Sequence, residues 1–210
     1  MTDVPDAPDD DRTRCGWVGA GSQPDALLYR DYHDTEWGRP LHGTQALYER
    51  VSLEAFQSGL SWLIILRKRE NFRSAFAGFD LEAVARFGEK DIDRLLADPG
   101  IVRNRAKIEA TIANARAIVE GDVDLDALLW SFAPAQRARP ADLSQVPATT
   151  PESVAMAKEL KRRGLRFVGP TTAYALMQAT GMVDDHIADC WVPAAGASAS
   201  GGSLHAHCGR

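Results

Sequence analysis

Arg162-Arg163-Gly164-Leu165-Arg166-Phe167-Val168-Gly169-Pro170-Thr171-Thr172-Ala173-Tyr174 decides the fold. A helix ends near Gly164, a tight apolar loop follows, and Gly169 opens the next helix. Such a turn presents backbone N–H groups and a helix N-terminus outward, and this geometry holds a phosphate of DNA without reading its sequence. Lys158, Lys161, Arg162, Arg163 and Arg166 add positive charge nearby. The same residues also describe a Gly-terminated helix with a solvated basic face. Leu96 to Arg105 is a second candidate, with Asp98-Pro99-Gly100 as the turn and Arg103, Arg105 and Lys107 as its cations. There the plain helix connection is the preferred reading.

Outward from the hairpin, helical periodicity recurs and strand signals are few. The preceding helix spans Pro151 to Gly164, with Thr150 as its cap and Pro151 as its first residue. The following one runs from about Thr171 to about Gly181. Further helices are predicted from Thr44 (as N-cap) to Gly59, from Trp62 to Phe76, after the cap Asp80, from Asp91 to Ala97, from Arg103 to Glu120 and from Leu125 to Phe132. Residues 133–150 are Pro-rich and irregular. A last short helix carries His186 and Cys190. The expectation is an all-α single domain of about eight helices over residues 14–193. A disordered acidic leader (1–13) and a disordered, low-complexity tail (194–210) flank it, and Cys208, His205 and His207 of the tail have no structural role.

Bulk properties are those of a soluble globular chain, with 45% hydrophobic and 25% charged residues. No apolar run reaches the roughly 18 residues that span a bilayer, and no secretory signal is present, so a cytoplasmic protein without a membrane partner is expected. The net charge of −5 argues weakly against a nucleic-acid partner. Residues 1–14, with five aspartates and two arginines, account for −3 of it, and the remainder carries only −2. Local basic clusters then decide whether DNA can bind.

Two pairs of soft ligands bracket the chain. Cys15 and His33 lie near its start, His186 and Cys190 near its end. Two thiolates and two imidazoles complete the tetrahedral shell of a structural zinc site. If the four meet, the metal ties the two ends of the domain together and leaves no open position for a catalytic water.

Aromatics crowd the first third: Trp17, Tyr29, Tyr32, Trp37, Tyr48 and Trp62. Tyr29 and Tyr32 are three apart and can share a helix face. A wall of this kind stacks on a flat ring such as a nucleobase, although most aromatic clusters are simply core. Glu54 falls on the same apolar stripe as Leu47, Val51 and Ala55. A carboxylate is rarely buried without a partner. It either accepts hydrogen bonds from a bound cationic base or pairs with a nearby arginine. Asp184 and Asp185, just before His186, either cap the short helix or stand near the mouth of the hairpin.

Taken together, Cys15-Gly16-Trp17, Tyr32-His33-Asp34-Thr35-Glu36-Trp37-Gly38, Leu53-Glu54-Ala55-Phe56-Gln57-Ser58-Gly59-Leu60-Ser61-Trp62, Lys68-Arg69-Glu70-Asn71-Phe72, Trp130-Ser131-Phe132, Phe167-Val168-Gly169-Pro170-Thr171 and Asp185-His186 resemble the 3-methyladenine DNA glycosylase I family of bacterial alkylation repair. The resemblance spans about residues 14–193. It implies an all-helical fold of the helix–hairpin–helix DNA glycosylase superfamily. It also implies a structural zinc on Cys15, His33, His186 and Cys190, and a base pocket of Tyr29, Tyr32, Glu54 and Trp62. By the same resemblance the DNA backbone is held at the hairpin, by Gly169, Thr171, Thr172 and Arg166.

Asp184 departs from the resemblance. Most helix–hairpin–helix glycosylases carry a catalytic aspartate just after the hairpin helix, whereas this family often has asparagine at that place. Asp184 restores the carboxylate, either to stabilise positive charge on the sugar or only to cap a helix. The implied reaction is hydrolysis of the N-glycosidic bond of 3-methyladenine, after base flipping from double-stranded DNA, by a monomer. It leaves free base and an abasic site. The matched hairpin (residues 167–172) holds no lysine, so no lyase step is expected. A zinc-stabilised DNA-binding module without catalysis is the alternative, and the Glu54–Trp62 pocket argues against it.

Overall fold

The computed structural model describes residues 11–194. The expected leader (but for its last three residues) and the expected tail (but for residue 194) lie outside them, with His205, His207 and Cys208. Among the described residues, all regular structure is helical. The helices are α1 (Pro24–Thr35), α2 (Thr44–Gln57), α3 (Trp62–Ala75), α4 (Leu81–Ala85), α5 (Glu89–Ala97), α6 (Arg105–Glu120), α7 (Leu125–Trp130), α8 (Pro151–Arg162) and α9 (Pro170–Ala179).

α2 is the axis of the fold and packs against α3, α6, α7 and α9. A helix enclosed by so many neighbours must be apolar on more than one face. Accordingly Leu47, Tyr48, Val51, Leu53 and Phe56 are all buried. Each such side chain contributes on the order of 1.5–3 kcal/mol. The same enclosure is what buries Glu54. Phe56, Phe72, Phe76 and Phe79 follow one another in the core, from 4.7 to 6.3 Å between successive ring centres.

Caps explain most boundaries. Asp80, Asn104 and Asp124 each accept a first-turn N–H of the helix they precede, and Thr150 and Ser153 cap each other reciprocally. Thr44 is not a cap; Gly43 holds that position, and its N–H is taken by Asp126 on α7.

One predicted helix is absent. His186 and Cys190 lie on a turn, because the local N–H groups are used elsewhere. Ile187 donates to the Cys15 sulfur, Ala188 to the Pro140 carbonyl, Cys190 to the Ile187 carbonyl and Trp191 to the Thr13 carbonyl. No i→i−4 ladder can coexist with that set.

α8, the hairpin and α9 form as the sequence indicates, and the two helices pack on each other. Gly164 adopts φ +91° and Phe167 φ +59°. Asn114, buried on α6, grips the hairpin from below. Its Oδ1 accepts from the Arg166 N–H at 2.7 Å and its Nδ2 donates to the Arg166 carbonyl at 3.1 Å. Gly169 and Thr171 are exposed at the head of α9 and Thr172 is half-buried. The first N–H groups of any helix lack an intrahelical acceptor, so this end faces solvent with donors to spare. The second hairpin differs. Arg105 is held by Glu89, Asp93 and Glu109, and Lys107 points inward to the carbonyls of Phe56 and Ser58. It is a helix connection in which Arg105 and Lys107 are already engaged.

Candidate functional site

Cys15, His33, His186 and Cys190 meet, all four buried, with their ligand atoms within 4.8 Å of one another. Sulfur-to-nitrogen separations are 3.6 Å for Cys15–His186, 3.5 Å for Cys190–His33 and 3.4 Å for Cys190–His186. Edges of roughly 3.5 Å are those of a tetrahedron with zinc-like bond lengths to sulfur and nitrogen. The second nitrogen of each imidazole is also engaged. His33 Nδ1 lies 2.8 Å from Asp34, and His186 Nε2 lies 3.2 Å from the Trp37 carbonyl. Such contacts fix the tautomer that leaves the other nitrogen free for a metal. Asp34 is held in turn by Arg14 and Trp191. Burial pushes the Cys15 thiol up to about 12 and His186 down to about 4, disfavouring the charged form of both. The donor set and its spacing fit a divalent soft-ligand metal. Gly38, at φ +74°, brings backbone against His186; a Cβ there would stand 2.8 Å from Nε2.

Beside the metal cluster opens a cavity of about 480 Å³. Trp17, Tyr29, Tyr32, Trp37, Glu54 and Trp62 line it, with Gln178 and Asp185 from the far side. α1 supplies the two tyrosines, α2 the glutamate and α3 the tryptophan. The Tyr32 and Trp62 rings lie 5.4 Å apart. The Tyr29 hydroxyl accepts the Leu63 N–H at 3.1 Å and so ties α1 to the head of α3.

Glu54 is only 4% exposed and makes no hydrogen bond among the described residues. Burial raises its pKa to about 7, and the neighbouring Arg50 acts against that rise. The salt bridge weighed for Glu54 is not formed. Arg50 instead gives Nη1 to the Tyr32 hydroxyl at 3.0 Å and Nη2 to Glu36 at 3.4 Å. Arg69 clasps the same Glu36 at 2.6 and 2.8 Å.

The two aspartates separate. Asp184 lies outside this cavity: Arg139 binds its Oδ2 at 2.9 Å, and its Oδ1 receives the His186 N–H at 3.3 Å. Asp185 is buried at the cavity wall and is fully engaged, by Arg137 (2.7 Å), the Tyr174 hydroxyl (2.5 Å) and Gln178 (2.9 Å).

A family model described as methyladenine glycosylase matches residues 22–193. The chain belongs to the methyladenine glycosylase family. Curated relatives agree. The DNA-3-methyladenine glycosylase of Haemophilus influenzae is 44% identical over 184 residues, 85% of this chain and 96% of the relative. DNA-3-methyladenine glycosylase 1 of Escherichia coli is 44% identical over 183 residues, 84% and 95% respectively. Among solved structures, a crystal structure of 3-methyladenine DNA glycosylase I superposes with a TM-score of 0.80 at 44% identity, covering 85% of this chain and 98% of that one. Another, a variant of that enzyme in complex with 3-methyladenine, gives 0.78 at 32% identity, covering 86% and 97%.

Every pocket and metal residue expected from the family resemblance falls in one of the two adjoining centres. Four supporting groups escaped the sequence reading. Asp34 and Glu36 sit inside a quoted motif, but nothing local says that one orients a histidine and the other pairs two arginines 14 and 33 residues away. Arg50 precedes Glu54 by one helical turn, which is a signal that spacing alone offers. Asn114 is an amide on an apolar helix face, and such a group demands a partner.

Proposed function

We propose that this chain is a monofunctional DNA-3-methyladenine glycosylase. It flips the methylated nucleotide out of double-stranded DNA and hydrolyses its N-glycosidic bond. The observation that carries the reading is Glu54: a buried carboxylate without a protein hydrogen bond, facing a cavity walled by Tyr32 and Trp62.

Methylation at N3 makes adenine a cation, weakens its stacking and pairing, and turns it into a good leaving group. Damaged bases cost least to extrude. Aromatic faces and an ionised Glu54 favour that cation over neutral adenine. When the bond from the sugar C1′ to N9 breaks, its electron pair passes to the base, which becomes neutral 3-methyladenine. Positive charge moves to the sugar, water adds at C1′ and a proton is lost to solvent. Glu54 therefore acts on recognition of the charged base more than on the sugar. The head of α9, with Gly169, Thr171, Thr172 and Arg166, is assigned to the DNA backbone. Zinc held by Cys15, His33, His186 and Cys190 would supply architecture, since four protein ligands close its shell. The chain is read as a cytoplasmic monomer, by its likeness to bacterial DNA-3-methyladenine glycosylases.

Incubation with N-methylated duplex DNA, followed by chromatography of released bases, tests the whole reading. Release of 3-methyladenine without strand nicking is expected. Intact lesions after full incubation would sink it.

Three site predictions arise here. Asp184→Asn should change kcat/KM by less than about threefold, because that carboxylate is an anchor for Arg139. Asp185→Asn should lower stability by about 1–2 kcal/mol, because the buried carboxylate loses its charge-assisted hydrogen bonds from half-exposed Arg137, Tyr174 and Gln178. Thermal melts and base-release kinetics on both variants check this; a large activity loss in Asp184→Asn alone would restore the catalytic role. Asn114→Ala removes both hydrogen bonds under the hairpin. It should weaken binding to duplex DNA about fivefold while leaving the affinity for free 3-methyladenine unchanged, at about 1 kcal/mol for two neutral hydrogen bonds to a partly wet loop. Titration with each ligand separates the two effects.

A further inference from the structure

Arg50 has no place in the reaction as described, yet it stands directly behind the base-binding wall. Its side chain is buried, and its guanidinium lies 5.6 Å from the Tyr32 ring centre and 5.7 Å from that of Trp62. We infer that Arg50 is a positioning residue that turns the Tyr32 hydroxyl into a hydrogen donor toward the cavity, so that Tyr32 and Glu54 together present a donor–acceptor pair selective for adenine-type bases. This rests on the base-binding reading above.

A guanidinium only donates. With Nη1 3.0 Å from Tyr32 Oη, the phenol oxygen must accept, and its own proton must point away from Arg50. No acceptor for that proton is found among the described residues, while the ring lines the cavity. Glu54, when ionised, only accepts. The wall thus offers one donor beside one acceptor. Adenine carries a ring nitrogen that accepts beside an amino group that donates. Guanine carries a carbonyl oxygen where adenine has its amino group, and that oxygen would face the Glu54 carboxylate. A hydroxyl left free to rotate would lose this discrimination, since it can donate or accept.

The guanidinium is held against rotation. Glu36 takes its Nη2, and Arg69 pins Glu36 with two further bonds. Arg50 also favours the charged form of Glu54. The other groups around that carboxylate are Tyr29 and Tyr32 from α1, Gln178 of α9 and Asp185 across the cavity, with Glu36 and Arg69 behind the wall. Among these, Arg50 is the one cation acting on Glu54 directly.

The test compares wild type, Arg50→Met, Tyr32→Phe and the double variant on duplexes carrying 3-methyladenine or 3-methylguanine, across pH 6 to 9. Arg50→Met should reduce the preference for 3-methyladenine about fivefold to tenfold, the value of one hydrogen bond of about 1–1.4 kcal/mol. Its acidic limb should also move to higher pH. In the Tyr32→Phe background, Arg50→Met should leave the preference unchanged, because the hydroxyl it orients is gone. Unaltered preference in Arg50→Met, or full additivity of the two changes, overturns the assignment. If wild type releases no methylated base, the base-binding reading itself has failed instead. Arg69 keeps Glu36 paired in Arg50→Met, so folding is expected, and a thermal melt checks it. Should that variant not fold, Arg50→Lys retains the charge but not the fork that reaches Tyr32 and Glu36 together. It should keep the acidic limb and lose preference; unchanged preference there is equally fatal to the assignment.

Discussion

Glu54→Gln is expected to lower kcat/KM for 3-methyladenine release by roughly 30- to 1,000-fold and, at pH 8, to melt at a higher temperature than wild type. The activity loss follows from removing one member of a buried charge pair with the bound cation, about 2–4 kcal/mol. The gain in stability follows from the direction of the pKa shift. Folding raises Glu54 from the ordinary carboxyl value of 4.5 to about 7. Protonated glutamic acid is therefore favoured in the folded state. Stability from this group is complete below pH 4.5 and is lost as pH rises through about 7. At pH 8 the wild-type fold bears a desolvated charge that costs about 3 kcal/mol, and glutamine bears none. Melts at pH 5 and pH 8 read the sign: the two proteins should differ little at the lower pH and clearly at the higher. The same shift predicts that wild-type excision rises with pH through about 7, because only the ionised carboxylate attracts the lesion. An active Glu54→Gln enzyme with an unchanged pH profile would remove Glu54 from recognition.

Loss of the proposed zinc is expected to be the second large effect. Chelation, or Cys190→Ser, should lower the melting temperature by about 10 °C or more. For a chain of this length that corresponds to a loss of about 4 kcal/mol. Three separate segments converge on the four ligands: the turn at residue 15, α1, and the loop at 186–190. Around them lies only a small apolar cluster of Cys15, Val18, Cys190 and Val192, with Trp17, Trp37, Ile187 and Trp191 half-buried against it. So few buried side chains cannot hold three segments unaided. Trp17 and Trp37 belong to both this cluster and the cavity wall, so base release should fall with the melting temperature. Metal content by colorimetric release, with melts before and after chelation, measures the coupling. A metal-free protein with wild-type stability would show the four residues to be packing alone.

What the chain disclosed in advance was whatever depends on local spacing. Pro151, Gly164 and Gly169 punctuate the hairpin as expected, and the 3.6-residue period located α2, α3 and α6 to within a few residues. The four soft-ligand residues that meet in the cluster were legible by chemical type. The local structure of two of them was not. His186 and Cys190 are four apart, as on a helix, yet their turn is dictated by partners at Thr13, Cys15 and Pro140 that no window around residue 188 contains. The same limit hid Arg50. Its charge near a cavity for a cation looks unfavourable until Glu36 and Arg69 are placed beside it. Asp184 and Asp185 show the limit most sharply. Adjacent in the chain, they face different sides of the loop, one toward Arg139 and the other toward Tyr174.

α9 reaches from the hairpin to the cavity: Gly169 heads it, and Gln178 near its far end lines the cavity. At 1.5 Å per residue that is roughly 14 Å of rigid rod. The helix is thus a ruler. On the proposed function it would set how far along the strand the held phosphate lies from the flipped nucleotide, and lengthening it by one residue would both shift and rotate one end against the other. On that reading, register along DNA would be measured in helical turns of protein.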